Sequence, residues 1–140
     1  MQIAIIADDN KKELMTQFCI AYCGILSKHE LCATGTTGKL ITEATGLPVE
    51  LLMAGTVGGE EQLISRIEYD EIDLLLFFRD TTVRSINQFV QDIDNQLLFL
   101  CDKKNIPIAT NIATAEVLIM ALERGDLAWR ELINPRYSSD

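Results

Sequence analysis

Residues 73–78 read DLLLFF, in which five apolar residues follow one another without a polar interruption. A strand with apolar side chains on both faces must be covered on both faces, which is typical of a parallel sheet between two layers of helices. Four more short apolar runs alternate with longer segments of helical periodicity. Those runs are residues 3–7, 31–33, 49–53 and 106–109. The sequence therefore predicts a doubly wound α/β fold with a five-stranded parallel sheet and helices on both faces.

The segments between these runs predict the helices. They cover residues 10–27, a short stretch after Gly38, residues 60–69, the segment that ends at Lys104, and residues 114–124. Trp129 and Leu132 belong to a C-terminal segment that we expect to pack back on the body. No repeat, linker or low-complexity tract interrupts the pattern, so we expect residues 1–140 to form a single domain.

Charge and hydropathy exclude several classes of function. The net charge of −9 argues against general binding of nucleic acids or anionic membranes, because both need a basic surface. No apolar run approaches the roughly 18 residues of a membrane span. The start, MQIAIIADDN, has neither the basic region nor the cleavage pattern of a signal peptide. A cytoplasmic protein is the expectation.

The cysteines and the single histidine predict structural roles. Cys19, Cys23, Cys32 and Cys101 are expected to be reduced core residues. Cys19 and Cys23 could share a helix face and bind a metal with two further ligands, but the chain has no second cysteine pair. His29 lies near a predicted helix end, where we expect it to cap carbonyl groups. No metal site is predicted.

Ligands of an open parallel sheet bind outside the carboxyl ends of its strands, and every predicted strand here ends in polar or glycine residues. Thr34–Gly38, with the sequence TGTTG, follows the second strand. A glycine-rich turn before a helix lets backbone N–H groups and hydroxyls converge on a phosphate. A nucleotide P-loop fits poorly, because Leu40 stands where a magnesium-binding Ser or Thr is needed. A small phosphorylated metabolite fits better.

Several segments together resemble the methylglyoxal synthase family, whose members convert dihydroxyacetone phosphate to methylglyoxal and phosphate. They are ATGTTG at 33–38, ATGL at 44–47, GGEEQ at 58–62, IDLLLFFRD at 72–80 and NIPIATNIATAE at 105–116. The resemblance covers nearly the whole chain in order. It implies an enzyme that needs no cofactor and no metal, and a homo-oligomer, commonly a hexamer.

The resemblance also implies site residues. The residues that match the family's phosphate and substrate site are Asp8, Lys12, Thr34, Gly35, Thr36, Thr37, Ala54 and Gly55. Asp9 and Asp80 match acidic residues that line the family's active site, and Asn111 lies beside it. For Asp9 and Thr37 a helix-start role is the alternative, because Asp and Thr favour such positions.

The positions that carry the family's chemistry differ in this chain. Glu60 stands where the family has the aspartate base of a GGDQQ motif, and Asp8 replaces a histidine. The adjacent carboxylates of Asp8 and Asp9 would repel an anionic substrate unless one of them is protonated or paired with Lys12. A second family histidine is absent from residues 79–96. There, Asp92 or Asp94 could replace the family's acid, and Arg84 could place positive charge beside an enediolate.

Two hypotheses follow from this pattern. In the first, the protein is a working methylglyoxal synthase with Glu60 as the catalytic base and Asp9 and Asp80 as supporting catalytic acids. In the second, it is a relative that binds phosphate or a small phosphorylated metabolite, has lost the chemistry, and acts as a sensor or partner subunit.

Overall fold

A five-stranded sheet forms the centre of the structure, a computed structural model that describes residues 1–53 and 58–137. Its strands are β1 (Gln2–Ala7), β2 (Glu30–Thr34), β3 (Val49–Leu52), β4 (Leu74–Phe78) and β5 (Ile108–Ala109). Their order across the sheet is β3-β2-β1-β4-β5, and every pairing is parallel. The predicted fold is therefore confirmed.

The central strand, β1, is the point from which the chain winds in two directions. Ile3 lies opposite Leu31 of β2 on one side and opposite Leu74 of β4 on the other. The chain moves outward from β1 through β2 to β3, then crosses back to β4 and continues to β5. The switch point between β1 and β4 is where such folds leave a crevice for a ligand.

Helices connect the strands. They are α1 (Lys12–Ala21, after a 3₁₀ turn at Asp9–Lys11), α2 (Cys23–Leu26), α3 (Gly35–Thr45), α4 (Gly58–Glu68), α5 (Thr81–Arg84), α6 (Gln88–Lys103), α7 (Ile112–Arg124) and α8 (Trp129–Ile133, before a 3₁₀ turn at Pro135–Tyr137). Within the described residues, no helix is long and apolar enough to cross a membrane.

The two faces of the sheet are buried under different helices, as alternation along β4 shows. Leu74, Leu76 and Phe78 pack with residues of α1, α3 and α7. Leu75 and Phe77 pack with residues of α4 and α6 on the opposite face. The unbroken apolar run of β4 thus supplies both layers of the core.

Two helix boundaries differ from the prediction. The helix expected over 10–27 is interrupted at Tyr22, whose ψ of 23° is not helical. The helix expected after Gly38 already begins at Gly35. A Cβ at position 38 would lie 2.5 Å from Leu51 Cδ2, so glycine lets the first turn of α3 pack closely against β3. The TGTTG segment is therefore mainly a helix start rather than a turn that precedes one.

The C-terminal segment packs on the body, but through other residues than expected. Leu132 is 87% exposed and Trp129 is 44% exposed, so these two side chains contribute little to that packing. Arg130 and Asn134 are buried instead. The segment has its apolar side chains outward because its contacts with the body are polar.

Asp73, directly before β4, is the buried residue that holds this segment. Its carboxylate accepts hydrogen bonds from the Gln2 amide (2.9 Å), from Asn134 Nδ2 (2.9 Å) and from the Tyr137 hydroxyl. Arg130 NH2 lies 3.8 Å from Asp73 Oδ1. One carboxylate thus joins the first strand to the last turn of the described chain.

The cysteines are free thiols, as predicted. Cys19, Cys32 and Cys101 are buried, whereas Cys23 is partly exposed. Burial raises the pKa of Cys19 to about 12 and the pKa of Cys32 to about 11. These thiols stay protonated at neutral pH and pack as small apolar side chains.

Candidate active site

A cavity of about 400 Å³ lies at the carboxyl ends of β1, β2 and β4. The described residues that line it are Ile6, Ala7, Asp8, Asp9, Asn10, Lys12, Thr34, Thr36, Glu60, Asp80, Val83 and Arg84. Most of the predicted site residues therefore converge on one space at the switch point of the sheet. Gly35 and Thr37 are not among these lining residues and are buried in the first turn of α3. Ala54 and Gly55 lie outside the described residues.

The start of α3 contributes donors to this cavity. Thr34 ends β2 with an extended backbone (ψ 148°), and its own side chain does not cap the helix that follows. Thr36 lines the cavity, and Thr37 is buried with its hydroxyl 3.2 Å from Lys12 Nζ. First-turn N–H groups, threonine hydroxyls and a lysine together suit an anionic ligand.

Lys12 is held in place by its neighbours. Its Nζ donates to the Ala7 carbonyl oxygen at 2.8 Å and lies 3.4 Å from Asp9 Oδ1. Lys12 thus pairs with Asp9, whose side chain is fully exposed, so one of the two adjacent carboxylates is paired with Lys12 as considered above.

Asp8 is instead paired with Arg84, at the end of α5. Arg84 Nε lies 3.0 Å from Asp8 Oδ2, and Arg84 NH2 lies 2.7 Å from Asp8 Oδ1. The Asp80 amide also donates to Asp8 Oδ2 at 2.7 Å, while the Asp80 side chain caps α5 by accepting from the Thr82 amide. A buried guanidinium therefore compensates the charge of Asp8.

Arg84 contacts two further carboxylates. Its NH2 lies 2.7 Å from Glu60 Oε1, and its NH1 donates to Asp94 Oδ1 at 2.9 Å. Asp94 is also paired with Arg79 at 3.3 Å. With all side chains ionised, this cluster holds three acids and two arginines, so it carries one net negative charge. We call these five residues, Asp8, Glu60, Arg79, Arg84 and Asp94, the arginine cluster.

Glu60 reaches the cavity because α4 begins very close to β2. A Cβ at Gly59 would lie 2.5 Å from Thr34 Cγ2 and 2.7 Å from the Met53 carbonyl oxygen, so only glycine permits this approach. Glu60 is 2% exposed. Among the described residues, its Oε2 has no hydrogen-bond partner.

The environment of Glu60 tunes its acidity. Burial raises the pKa of Glu60 to about 7, against the opposing effect of Arg84, and Asp94 raises it further. A carboxylate with a pKa near neutrality is a stronger base than an ordinary glutamate, and about half of it is ionised at neutral pH. A buried carboxylate with a pKa raised by its surroundings is a candidate functional residue.

Other residues considered from the sequence lie elsewhere. Asn111 caps α7 by accepting from the Thr114 amide at 3.1 Å and is exposed. The His29 ring contacts the amino group of Met1 at 3.2 Å rather than helix carbonyls, so its predicted capping role was wrong. Asp92 is exposed and accepts from Gln88. In the described part of the chain, no group of three or more His, Cys, Asp or Glu side chains is arranged to hold a metal.

Sequence reasoning did not find the arginine cluster. It considered Arg84 only as a charge beside an enediolate and could not choose between Asp92 and Asp94. One available signal was charge balance, because Arg84 is the only basic residue between Asp80 and Asp102. A lone arginine in a segment close to several acids is a candidate partner for them.

The topology and the cavity define a doubly wound α/β protein with a ligand site at the switch point of its sheet. A family model described as MGS-like domain matches residues 16–110. Methylglyoxal synthase from Caldicellulosiruptor saccharolyticus is 58% identical over 136 residues, covering 97% of this chain and 94% of that protein. Methylglyoxal synthase from Geobacillus thermodenitrificans is 48% identical over 139 residues, covering 99% and 94%.

A solved structure agrees with the sequence relatives. The crystal structure of methylglyoxal synthase from Elizabethkingia anophelis NUHP1 superposes with a TM-score of 0.72 at 37% identity, covering 84% of this chain and 76% of that one. The chain belongs to the methylglyoxal synthase family.

Proposed function

We propose that the protein is an active methylglyoxal synthase that eliminates phosphate from dihydroxyacetone phosphate. The observation that supports activity most directly is the state of Glu60, a buried carboxylate that lines the cavity and has a pKa of about 7. A base of this kind can remove a proton from a carbon next to a carbonyl group.

The proposed reaction begins at the hydroxymethyl carbon of the substrate. Glu60 takes a proton from this carbon, and the electron pair moves to the carbonyl oxygen to give an enediolate. The hydroxyl on the deprotonated carbon then becomes the aldehyde, its proton leaves with the phosphate, and the electrons expel that phosphate from the carbon on the other side of the former carbonyl. The remaining enolate takes up at its terminal carbon the proton that Glu60 removed and becomes the methyl ketone of methylglyoxal.

The proposed phosphate site is the start of α3 with Lys12. It comprises Lys12, Thr34, Gly35, Thr36 and Thr37, to which the family resemblance adds Ala54 and Gly55. Hydrogen-bond donors at a helix start stabilise the charge that builds on phosphate as it leaves. We propose Asp9 and Asp80 as supporting acids, because Asp9 pairs with Lys12 and Asp80 lines the cavity next to Asp8.

The surroundings of the enzyme are proposed from its charge and its family. With a net charge of −9, we propose a cytoplasmic protein whose partners are its substrate, inorganic phosphate and further copies of itself, and neither nucleic acid nor membrane. The family resemblance favours a hexamer, which sedimentation of the purified protein would test.

Turnover by the wild-type protein tests the proposed function. Purified protein incubated with dihydroxyacetone phosphate should release methylglyoxal and inorganic phosphate in equal amounts. Tight phosphate binding without any methylglyoxal would contradict the proposal and support the phosphate-binding relative that has lost the chemistry.

The phosphate site is tested by replacing Thr36 and Thr37 together with alanine. We expect the affinity for inorganic phosphate, measured by calorimetry, to fall by about tenfold or more, because two hydroxyls are lost from a charged ligand and Lys12 loses one of its fixed contacts. Thr42→Ala is the matched control, since Thr42 is an exposed threonine on the same helix and bonds the Leu47 carbonyl oxygen. Unchanged affinity in the double variant would contradict the proposed phosphate site.

The raised pKa of Glu60 predicts how activity depends on pH. The base acts only when it is ionised, so activity should be low at acidic pH, rise as pH passes through about 7, and level off above it. The profile of kcat/KM measures this for the free enzyme, to which the pKa of about 7 belongs. A profile that is flat between pH 5 and 8 would contradict a base in the environment of Glu60.

A further inference from the structure

Arg84 is the centre of the arginine cluster. Its Nε and NH2 donate hydrogen bonds to Asp8, and its NH1 donates to Asp94. Its NH2 also forms an ion pair with Glu60. The side chain is only 4% exposed, and its guanidinium carbon lies 4.6 Å above the centre of the Phe77 ring. The guanidinium of Arg84 therefore packs with one face on an aromatic ring and is bound at its edges by three carboxylates.

This geometry couples the orientation of Glu60 to other parts of the chain. A guanidinium is rigid and planar, so groups that bond its edges are fixed relative to one another. Asp8 follows β1, Glu60 lies in the first turn of α4 and Asp94 lies in α6, and Arg84 contacts all three. Arg84 holds Glu60 by one oxygen, and the other has no partner among the described residues.

The charges around Glu60 leave Arg84 as its direct counter-ion. Acidic groups surround it: Asp8 after β1, Asp94 in α6, Asp9 and Asp80 at the cavity, and Glu61 on its own helix. Arg79 is paired with Asp94, and Lys12 is paired with Asp9. Without Arg84, burial and these carboxylates would favour the protonated form of Glu60, which cannot act as a base.

We propose that Arg84 is a positioning residue that keeps the Glu60 carboxylate ionised and oriented in the cavity, and that Asp94 competes with Glu60 for the charge of Arg84. The proposal rests on the proposed function, in which Glu60 is the base. It differs from the idea that Arg84 contacts the enediolate, because the guanidinium edges are already occupied by carboxylates. Arg84 thus acts through Glu60 rather than on the substrate.

Two measurements on one set of variants test this proposal. The variants are Arg84→Gln, Arg84→Lys, Asp94→Asn and, as a matched control, Asp92→Asn. Asp92 is an exposed acid on the same helix as Asp94 and does not contact Arg84. The first measurement is an NMR titration of Glu60 in protein with ¹³C-labelled glutamate carboxyls, assigned with Glu60→Gln. The second is the pH dependence of kcat and kcat/KM.

We expect substitution of Arg84 and substitution of Asp94 to shift the pKa of Glu60 in opposite directions. Arg84→Gln should raise the pKa of Glu60 by about one unit or more and move the acidic limb of kcat to higher pH, because a cation is lost. Asp94→Asn should lower the pKa of Glu60 and move the acidic limb of kcat to lower pH, because an anion is lost.

Arg84→Lys keeps the positive charge, so the acidic limb of its kcat profile should stay near that of the wild type. Its kcat should still fall by about a hundredfold, because the planar fork that orients Glu60 is gone. Asp92→Asn should match the wild type.

The outcomes separate this proposal from the proposed function. The NMR titration needs no turnover, so an inactive wild type would overturn the function while the titration still decides whether Arg84 controls Glu60. A folded Arg84→Gln variant with an unchanged Glu60 titration would overturn the proposal. If Arg84→Gln does not fold, the other two variants decide. The proposal is overturned if Arg84→Lys keeps the wild-type kcat and Asp94→Asn leaves the pKa of Glu60 unchanged.

Discussion

Replacing Glu60 with glutamine should reduce methylglyoxal formation by about 10²- to 10⁴-fold, the usual contribution of a general base, and leave phosphate binding nearly intact. The amide keeps the shape of the side chain and can still accept from Arg84, but it cannot take up a proton. Folding should also be preserved, because the arginine cluster changes from three acids and two arginines to two of each. Initial rates and phosphate calorimetry on the same preparations measure both effects.

Glu61→Gln is the matched control for this experiment. Glu61 is the neighbouring first-turn acid, is exposed, and is expected only to complement the helix dipole, so its loss should leave kcat near the wild-type value. Turnover that survives Glu60→Gln would refute Glu60 as the base and leave Asp9 and Asp80 as the candidates for this role.

Glu60→Asp tests whether the site is adapted to the longer side chain. Aspartate is the family's residue at this position, but it would draw the carboxylate back by one methylene from Arg84 NH2, now 2.7 Å from Glu60 Oε1. We expect kcat below that of the wild type, since a misplacement of about 1 Å can cost on the order of a hundredfold. A Glu60→Asp variant more active than the wild type would show that the position of Arg84 is not adapted to the longer side chain of Glu60.

Replacing Asp73 with alanine should destabilise the protein by about 3–5 kcal/mol, because it removes one partner of a buried charge and leaves its neighbours unsatisfied. Asp73 is fully buried and binds Asn134 and the Tyr137 hydroxyl, with Arg130 close by. Burial and the bond to Asp73 raise the pKa of Tyr137, so this hydroxyl remains a donor over the whole neutral range. Urea unfolding measures the free energy of unfolding.

Asp126→Ala is the control for this experiment, because it removes an exposed ion pair instead of a buried one. Asp126 pairs with Arg124 at 2.8 Å, but both side chains are more than half exposed, so this variant should cost no more than about 1 kcal/mol. Equal losses in the two variants would contradict the view that Asp73 holds the C-terminal segment.

The elements of the fold could be predicted because their signals are local. Apolar runs and helical periodicity record which side chains must be buried, and every predicted strand appears within a few residues of its expected position. The boundaries that failed depended on contacts with distant residues. Gly38 lies inside a helix rather than before it, and Leu51 of a neighbouring strand lies where a Cβ at this position would be, which no pattern around Gly38 records.

The sequence by itself determined the parallel sheet, the edge at which its polar residues gather, and the family to which the chain belongs. Only the tertiary structure decided that Asp8 pairs with Arg84, 76 positions away, that Asp94 rather than Asp92 joins them, and that Asp73 holds the C-terminal segment. The physical reason is that burial patterns repeat along the chain, whereas charges interact through space and at strengths set by their distance and burial. The environment of Glu60, and with it the chemistry proposed for the site, therefore exists only after folding brings α4, α5 and α6 to the end of β1.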